Sequence, residues 1–178
     1  MKKLTLLLAA ISIVSISKAQ ITFEYEYDTL QAPNGVRLYQ IGDNYYRYIE
    51  MDYDNYQFKL YNLNHSFDKN ISIPPENGFP NINVYLSYTS QSLFDTDNLI
   101  EFAVIYYDVL WCKNKTRILN EMGLILFEID SSAFFYIESA GNNGYKLIFE
   151  KYQSCPTKYI STLVYSLPGT LPAGKTEI

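Results

Sequence analysis

Polar and apolar residues alternate along much of this chain, and the alternation has the two-residue period of β-strands. Residues 21–28 (ITFEYEYD) set Ile21, Phe23, Tyr25 and Tyr27 on one side, with Thr22, Glu24, Glu26 and Asp28 on the other. That pattern predicts a strand with one wet face. Ala32-Pro33-Asn34-Gly35 follows as a turn, because proline presets φ and Asn-Gly accepts positive φ. A short strand over 36–41 closes at Gly42-Asp43-Asn44. Residues 45–51 and 56–63 form the clearest hairpin. Tyr45, Ile49 and Met51 share one face of its first strand, and Tyr46, Tyr48 and Glu50 the other. On its second strand Tyr56, Phe58 and Leu60 point inward, and Gln57, Lys59 and Tyr61 outward. A strand over 67–73 ends at the break Pro74-Pro75-Glu76-Asn77-Gly78.

Further strands are predicted at 83–88, 99–107, 116–122, 124–129, 133–138, 145–152 and 158–166, separated by Gly-, Asn-, Asp- and Ser-rich turns. Residues 99–107 (LIEFAVIYY) are apolar on both faces, which predicts a central strand. No helical periodicity occurs beyond residue 19. The expected fold is all-β: an antiparallel meander of repeated hairpins, built like a barrel, a sandwich or propeller blades. The segments 61–65, 120–124 and 165–169 end hairpins in a similar way and suggest a weak internal repeat. Cys112 and Cys155 take similar hairpin positions in two of its units.

Residues 1–19 have another character. Met1-Lys2-Lys3 gives a positive start, Leu4 to Ile16 an apolar run, and Ser17-Lys18-Ala19 a small-residue cleavage site. This is the pattern of a secretory signal peptide. The run is too short to span a bilayer, which takes roughly 20 residues, so no transmembrane segment is expected in the mature chain. One β domain is expected over 20–167, followed by a linker-like tail over 168–178. The formal charge is −5, and cleavage would remove three lysines. An acidic surface argues against nucleic acid as a partner and against docking on anionic lipid. All 18 tyrosines lie beyond the leader, as suits pleated surfaces. In an oxidising compartment the pair Cys112 and Cys155 is expected to form a disulfide, the alternatives being two unpaired buried thiols or one intermolecular bridge. Three glycosylation sequons, at Asn64, Asn70 and Asn114, bear only on a eukaryotic secretory pathway.

Little catalytic chemistry is visible. The single histidine, His65, falls in a turn and is expected to be solvated. A Ser-His-Asp triad would have to use it, and no Gly-x-Ser-x-Gly elbow is present. No phosphate loop or dinucleotide fingerprint occurs, and no catalytic residue, metal site or cofactor is indicated. Asp52-x-Asp54-Asn55 and Asp95-x-Asp97-Asn98, the latter followed by Glu101, resemble calcium loops but lack the EF-hand pattern of glycine and distant glutamate, so they are read as turns. The outward face of the first hairpin offers Tyr46, Tyr48 and Tyr61, beside Lys59 and Glu50. Three aromatic rings on a wet face are the candidate ligand-binding site, suited to a glycan or a peptide.

As a set, Tyr61-Asn62-Leu63-Asn64-His65-Ser66, the stretch 93–102 (LFDTDNLIEF) and the ending 165–172 (YSLPGTLP) resemble an uncharacterised β-rich module of secreted Gram-negative bacterial proteins. In such proteins the module usually precedes a C-terminal sorting domain read by the type IX secretion system. No sorting domain is present before Ile178. The resemblance implies export, contact with the secretion machinery and a place outside the cell or on its surface. It implies no catalytic residue. The expected function is therefore a secreted or cell-surface, non-enzymatic binding or adhesion module, engaging a glycan or a protein. The alternatives are a secreted polysaccharide hydrolase using an Asp/Glu pair, or a structural spacer for a fused domain.

Overall fold

The computed structural model describes residues 21–28, 35–77, 82–108, 113–132, 134–154 and 157–173. Eleven strands follow one another: β1 (Val36–Gly42), β2 (Tyr45–Asp52), β3 (Gln57–Tyr61), β4 (Phe67–Ser72), β5 (Ile82–Ser90), β6 (Glu101–Asp108), β7 (Lys113–Asn120), β8 (Ile125–Asp130), β9 (Phe134–Ser139), β10 (Tyr145–Ser154) and β11 (Thr157–Ser166). A 3-10 turn, Gly141–Asn143, joins β9 to β10. The strands form three antiparallel meanders, β1-β2-β3-β4, β5-β6-β7-β8 and β9-β10-β11. The fold is all-β as expected, and none of the three sheets closes into a barrel.

Two separate cores reveal how the sheets lie. Ile49, Phe58, Leu60 and Ile71 of the first sheet pack with Val84, Phe102, Val104 and Tyr106 of the second. Tyr88, Ala103, Ile118 and Ile129 of the second pack with Phe135, Ile137, Leu147 and Phe149 of the third. The second sheet is thus the middle layer, and β6 is buried on both sides. Its alternation sends Phe102, Val104 and Tyr106 one way and Ala103 the other, so the doubly apolar sequence of 99–107 does mark the central strand. Phe58 and Phe102 stack across the first interface at 5.0 Å between centroids, and Phe127 and Phe149 across the second at 5.6 Å.

Two strands differ from expectation. Residues 21–28 are described but pair with no sheet, despite perfect alternation. Alternation gives a segment two faces; it does not supply an edge to bond to. β7 starts at Lys113, three residues earlier than predicted, because its polar beginning is held by charge. Lys115 lies 3.0 Å from Glu76 and 3.3 Å from Asp130, and Arg117 lies 3.0 Å from Glu128 and also pairs with Glu76. Arg117 further sits over the Tyr106 ring at 5.0 Å.

The turns at 62–66 and 120–124 close alike. Asn62 N donates to Ser66 O and His65 N to Asn62 O, while Asn120 N donates to Leu124 O and Gly123 N to Asn120 O. The left-handed position holds Gly123 at φ 79° in one and His65 at φ 66° in the other. The third segment, 165–169, instead leads out of β11. Gly169 N and Thr170 N then bond to Leu93 O and Ser92 O. A side chain at Gly169 would fall on the Ser92 carbonyl, so glycine is required by the close approach of two backbones. Leu167 and Leu171 pack on the second core, and Ala173 O accepts from Gln40 Nε2 at 2.9 Å. Residues 1–20, which include the expected leader, lie outside the described residues, as do Cys112 and Cys155.

Candidate functional site

The tyrosine face predicted on the first hairpin forms as expected in register but is not open. Tyr48 stands opposite Tyr61 across β2 and β3, and Tyr46 lies one row away, opposite Gln40 of β1. The unpaired segment 21–28 crosses this face. Tyr25 stacks on His65 at 4.6 Å with the rings 8° apart, and His65 stacks on Tyr48 at 4.9 Å. Tyr27 meets Tyr61 edge-on at 5.2 Å, and its hydroxyl pairs with His65 Nδ1 at 3.1 Å. Tyr61 is left only 9% exposed and Glu50 fully buried. Alternation identified which residues share the face but not what covers it.

His65 also departs from the solvated turn residue the sequence suggests. Its side chain is 12% exposed, held between two tyrosines, with Nε2 3.7 Å from Glu24. Its partners are a phenol and an exposed carboxylate, and both belong to the covering segment.

Beneath the cover runs a charged network. The Tyr61 hydroxyl donates to Glu50 Oε2 at 3.0 Å, and Lys59 Nζ lies 3.4 Å from Glu50 and 3.2 Å from Asp52. Burial, then the bond to Glu50, raises the Tyr61 phenol far above its ordinary value. Burial and the neighbouring Tyr48 and Tyr25 push Tyr27 up to about 12. Burial alone would raise Asp52, but bonds from Gln57, Asn55 and Lys59 outweigh it and hold the carboxyl at about 2. Every one of these groups is spent on its neighbours.

The calcium-like sequences prove to be turns. Both Asp52 oxygens accept bonds from the β2–β3 turn and β3. Asp95 accepts from Asp97 N at 3.1 Å, and Asp97 from Leu99 N at 2.8 Å. Glu101 is fully buried and accepts from Leu93 N, Phe94 N, Asp95 N and Ser90 Oγ, which fixes the loop between β5 and β6.

The open aromatic surface lies elsewhere, on the outer face of the third sheet. Phe134 and Tyr136 of β9, Tyr152 of β10 and Tyr159 of β11 share it. Phe134 is 62% exposed, Tyr159 52% and Tyr136 38%. Register places Phe134, Glu150 and Thr162 in one row, and Tyr136, Ile148 and Val164 in the next. Tyr152 touches both Phe134, at 6.5 Å, and Tyr159, at 5.6 Å. Polar groups are interleaved. The Tyr152 hydroxyl donates to Glu150 Oε2 at 2.7 Å, a bond that pushes the phenol up to about 12. The Tyr159 and Thr162 hydroxyls meet at 2.6 Å. Such a surface offers ring faces and hydroxyls with a carboxylate among them, on a rigid pleated base.

Comparison with family models, with curated proteins and with solved structures finds no match. The sequence carried only half of the signal for this face. Phe134 and Tyr136 alternate plainly, but Tyr159 would be assigned to the inner face with Leu163 and Tyr165. An irregularity in the pairing shifts the register between Lys151 and Tyr152, so that Tyr159, not Ile160, stands opposite Tyr152. A bulge of this kind re-aims a side chain to the other face.

Proposed function

We propose that this protein is an exported, non-enzymatic binding module that holds carbohydrate on the outer face of its third sheet. The exposure of Phe134, Tyr136 and Tyr159 in one connected patch supports this reading above all. Large aromatic rings left in water cost free energy that a ligand recovers by covering them, and a sheet face spaces them for the flat C–H faces of successive sugar units. Glu150, Thr162 and the phenols supply the hydrogen bonds that orient such a ligand. The leader and the resemblance to type IX-secreted modules support export and a place outside the cell or on its surface. Among the described residues no helix is long and apolar enough to cross a membrane.

The spacer role has one observation in its favour. The two inner interfaces also pair aromatic rings between sheets, so the outer face of the third sheet would suit a further packed domain. Glycan-array binding separates the two. Carbohydrate binding that falls in Phe134→Ala and Tyr159→Ala, and persists in Tyr48→Ala, supports the binding module. No binding to any polysaccharide, with the face protected in a larger assembly, supports the spacer.

A further inference from the structure

Between β1–β2 of the first sheet and β5 of the second lies a cleft of about 180 Å³. Ile49 and Leu86 form an apolar floor continuous with the first core. Arg37, Tyr39, Tyr53 and Tyr85 stand around it.

The sequence of β1 breaks the binary pattern here. Arg37 is opposite Ile49 and so lies on the core-facing row, while its neighbour Leu38 faces outward and is 52% exposed. Arg37 is itself exposed, so its guanidinium stands in water at the mouth of the cleft, beside the apolar floor. Arg37 is also the one basic residue among those lining the cleft. Arg37 and Tyr39 share one face of β1, and Tyr53 and Tyr85 line the cleft with them. Burial raises both Tyr39 and Tyr53, against the pull of Arg37, so the phenols stay protonated at neutral pH and can donate.

We propose that this cleft binds one carboxylate-bearing pyranose, a uronic acid unit, with Arg37 on the carboxylate and the tyrosines on the ring and its hydroxyls. The guanidinium fork matches a carboxylate bidentately. The apolar floor and ring faces suit the C–H face of a sugar. The volume lies below the roughly 300–1,000 Å³ of drug-sized pockets, which limits the occupant to a single ring. The chain is net acidic, so selection of an anion falls to Arg37 itself and not to the general field. The site is separate from the third-sheet face and stands whether or not that face binds sugar.

Calorimetric titration with methyl glucuronide and with methyl glucoside tests it. The protein should prefer the glucuronide by about tenfold or more, as expected when a charged hydrogen bond is lost. Arg37→Gln should abolish the preference, and Tyr159→Ala should leave it intact. Circular dichroism of Arg37→Gln, matching that of the parent, keeps a loss of binding from being a loss of fold. If that variant does not fold, the preference of the parent protein decides alone. Equal affinity for the two sugars, an unchanged glucuronide affinity in folded Arg37→Gln, or no glucuronide binding at about 10 mM would each overturn the proposal.

Discussion

Replacing Asp52 with Asn should destabilise the protein by an amount that depends on pH in a calculable way. Asp52 ends β2, is 7% exposed and faces four donors: Asn55 N at 3.2 Å, Asn55 Nδ2 at 3.0 Å, Gln57 Nε2 at 2.9 Å and Lys59 Nζ at 3.2 Å. An amide in its place keeps one acceptor and turns a second group of donors toward them. The folded carboxyl is held at about 2 against an ordinary 3.8. A depressed folded value means that the folded state favours the ionised form. The stabilisation is therefore present above 3.8 and is lost as pH falls through about 2. The difference in pKa corresponds to about 2 kcal/mol at pH 7, with roughly half of it remaining at pH 3. Urea denaturation of parent and Asp52→Asn at pH 7, 5, 3 and 2 measures this. The gap should hold between pH 7 and 5, narrow by about half at pH 3 and narrow further at pH 2. A variant as stable as the parent at pH 7, or a gap that does not shrink in acid, would refute the assignment of Asp52 as an ionised anchor of the β2–β3 turn.

Three further outcomes are expected, the first two from the packing. Phe102→Ala removes a fully buried ring that stacks on Phe58 in the middle layer, and should cost about 3–5 kcal/mol in chemical denaturation. Gly169→Ala should destabilise more than an ordinary surface substitution and raise hydrogen exchange at Gly169 and Thr170, because the added carbon displaces the Ser92 carbonyl; an unchanged melt would contradict the close approach. In an oxidising compartment Cys112 and Cys155 should be recovered as one disulfide; two alkylatable thiols in mass spectrometry would reject the bond.

The fold was readable wherever one face of a strand is buried and the other is wet, as in the hairpin of β2 and β3, and wherever both are buried, as in β6. It was not readable where alternation lacked a partner. Residues 21–28 have as regular a pattern as any strand, yet only Tyr25 and Tyr27 serve as a cover, meeting the outer face of a sheet instead of an edge, while Ile21 and Phe23 stay exposed. That single relocation also closed the tyrosine face chosen as the binding site. Nothing in the order of residues 45–61 shows that Tyr25 and Tyr27 lie over them. The third-sheet face was hidden for a different reason. The register shift opposite Tyr152 moves Tyr159 outward, and a strict period of two assigns it inward. The position of His65 in a turn points to solvent while its ring does not: the backbone takes the left-handed position, and the side chain folds back between two tyrosines.

The third-sheet face bears the central claim, and polysaccharide binding by the protein and its face variants tests it most directly. Phe134→Ala and Tyr159→Ala should each weaken binding by about tenfold or more, since each removes an exposed ring from the patch. Both should unfold at the parent's midpoint. Tyr48→Ala, on the covered face, should lower stability while the folded protein keeps its affinity. Undiminished binding in Phe134→Ala and Tyr159→Ala, or loss of binding only in Tyr48→Ala, would contradict the account.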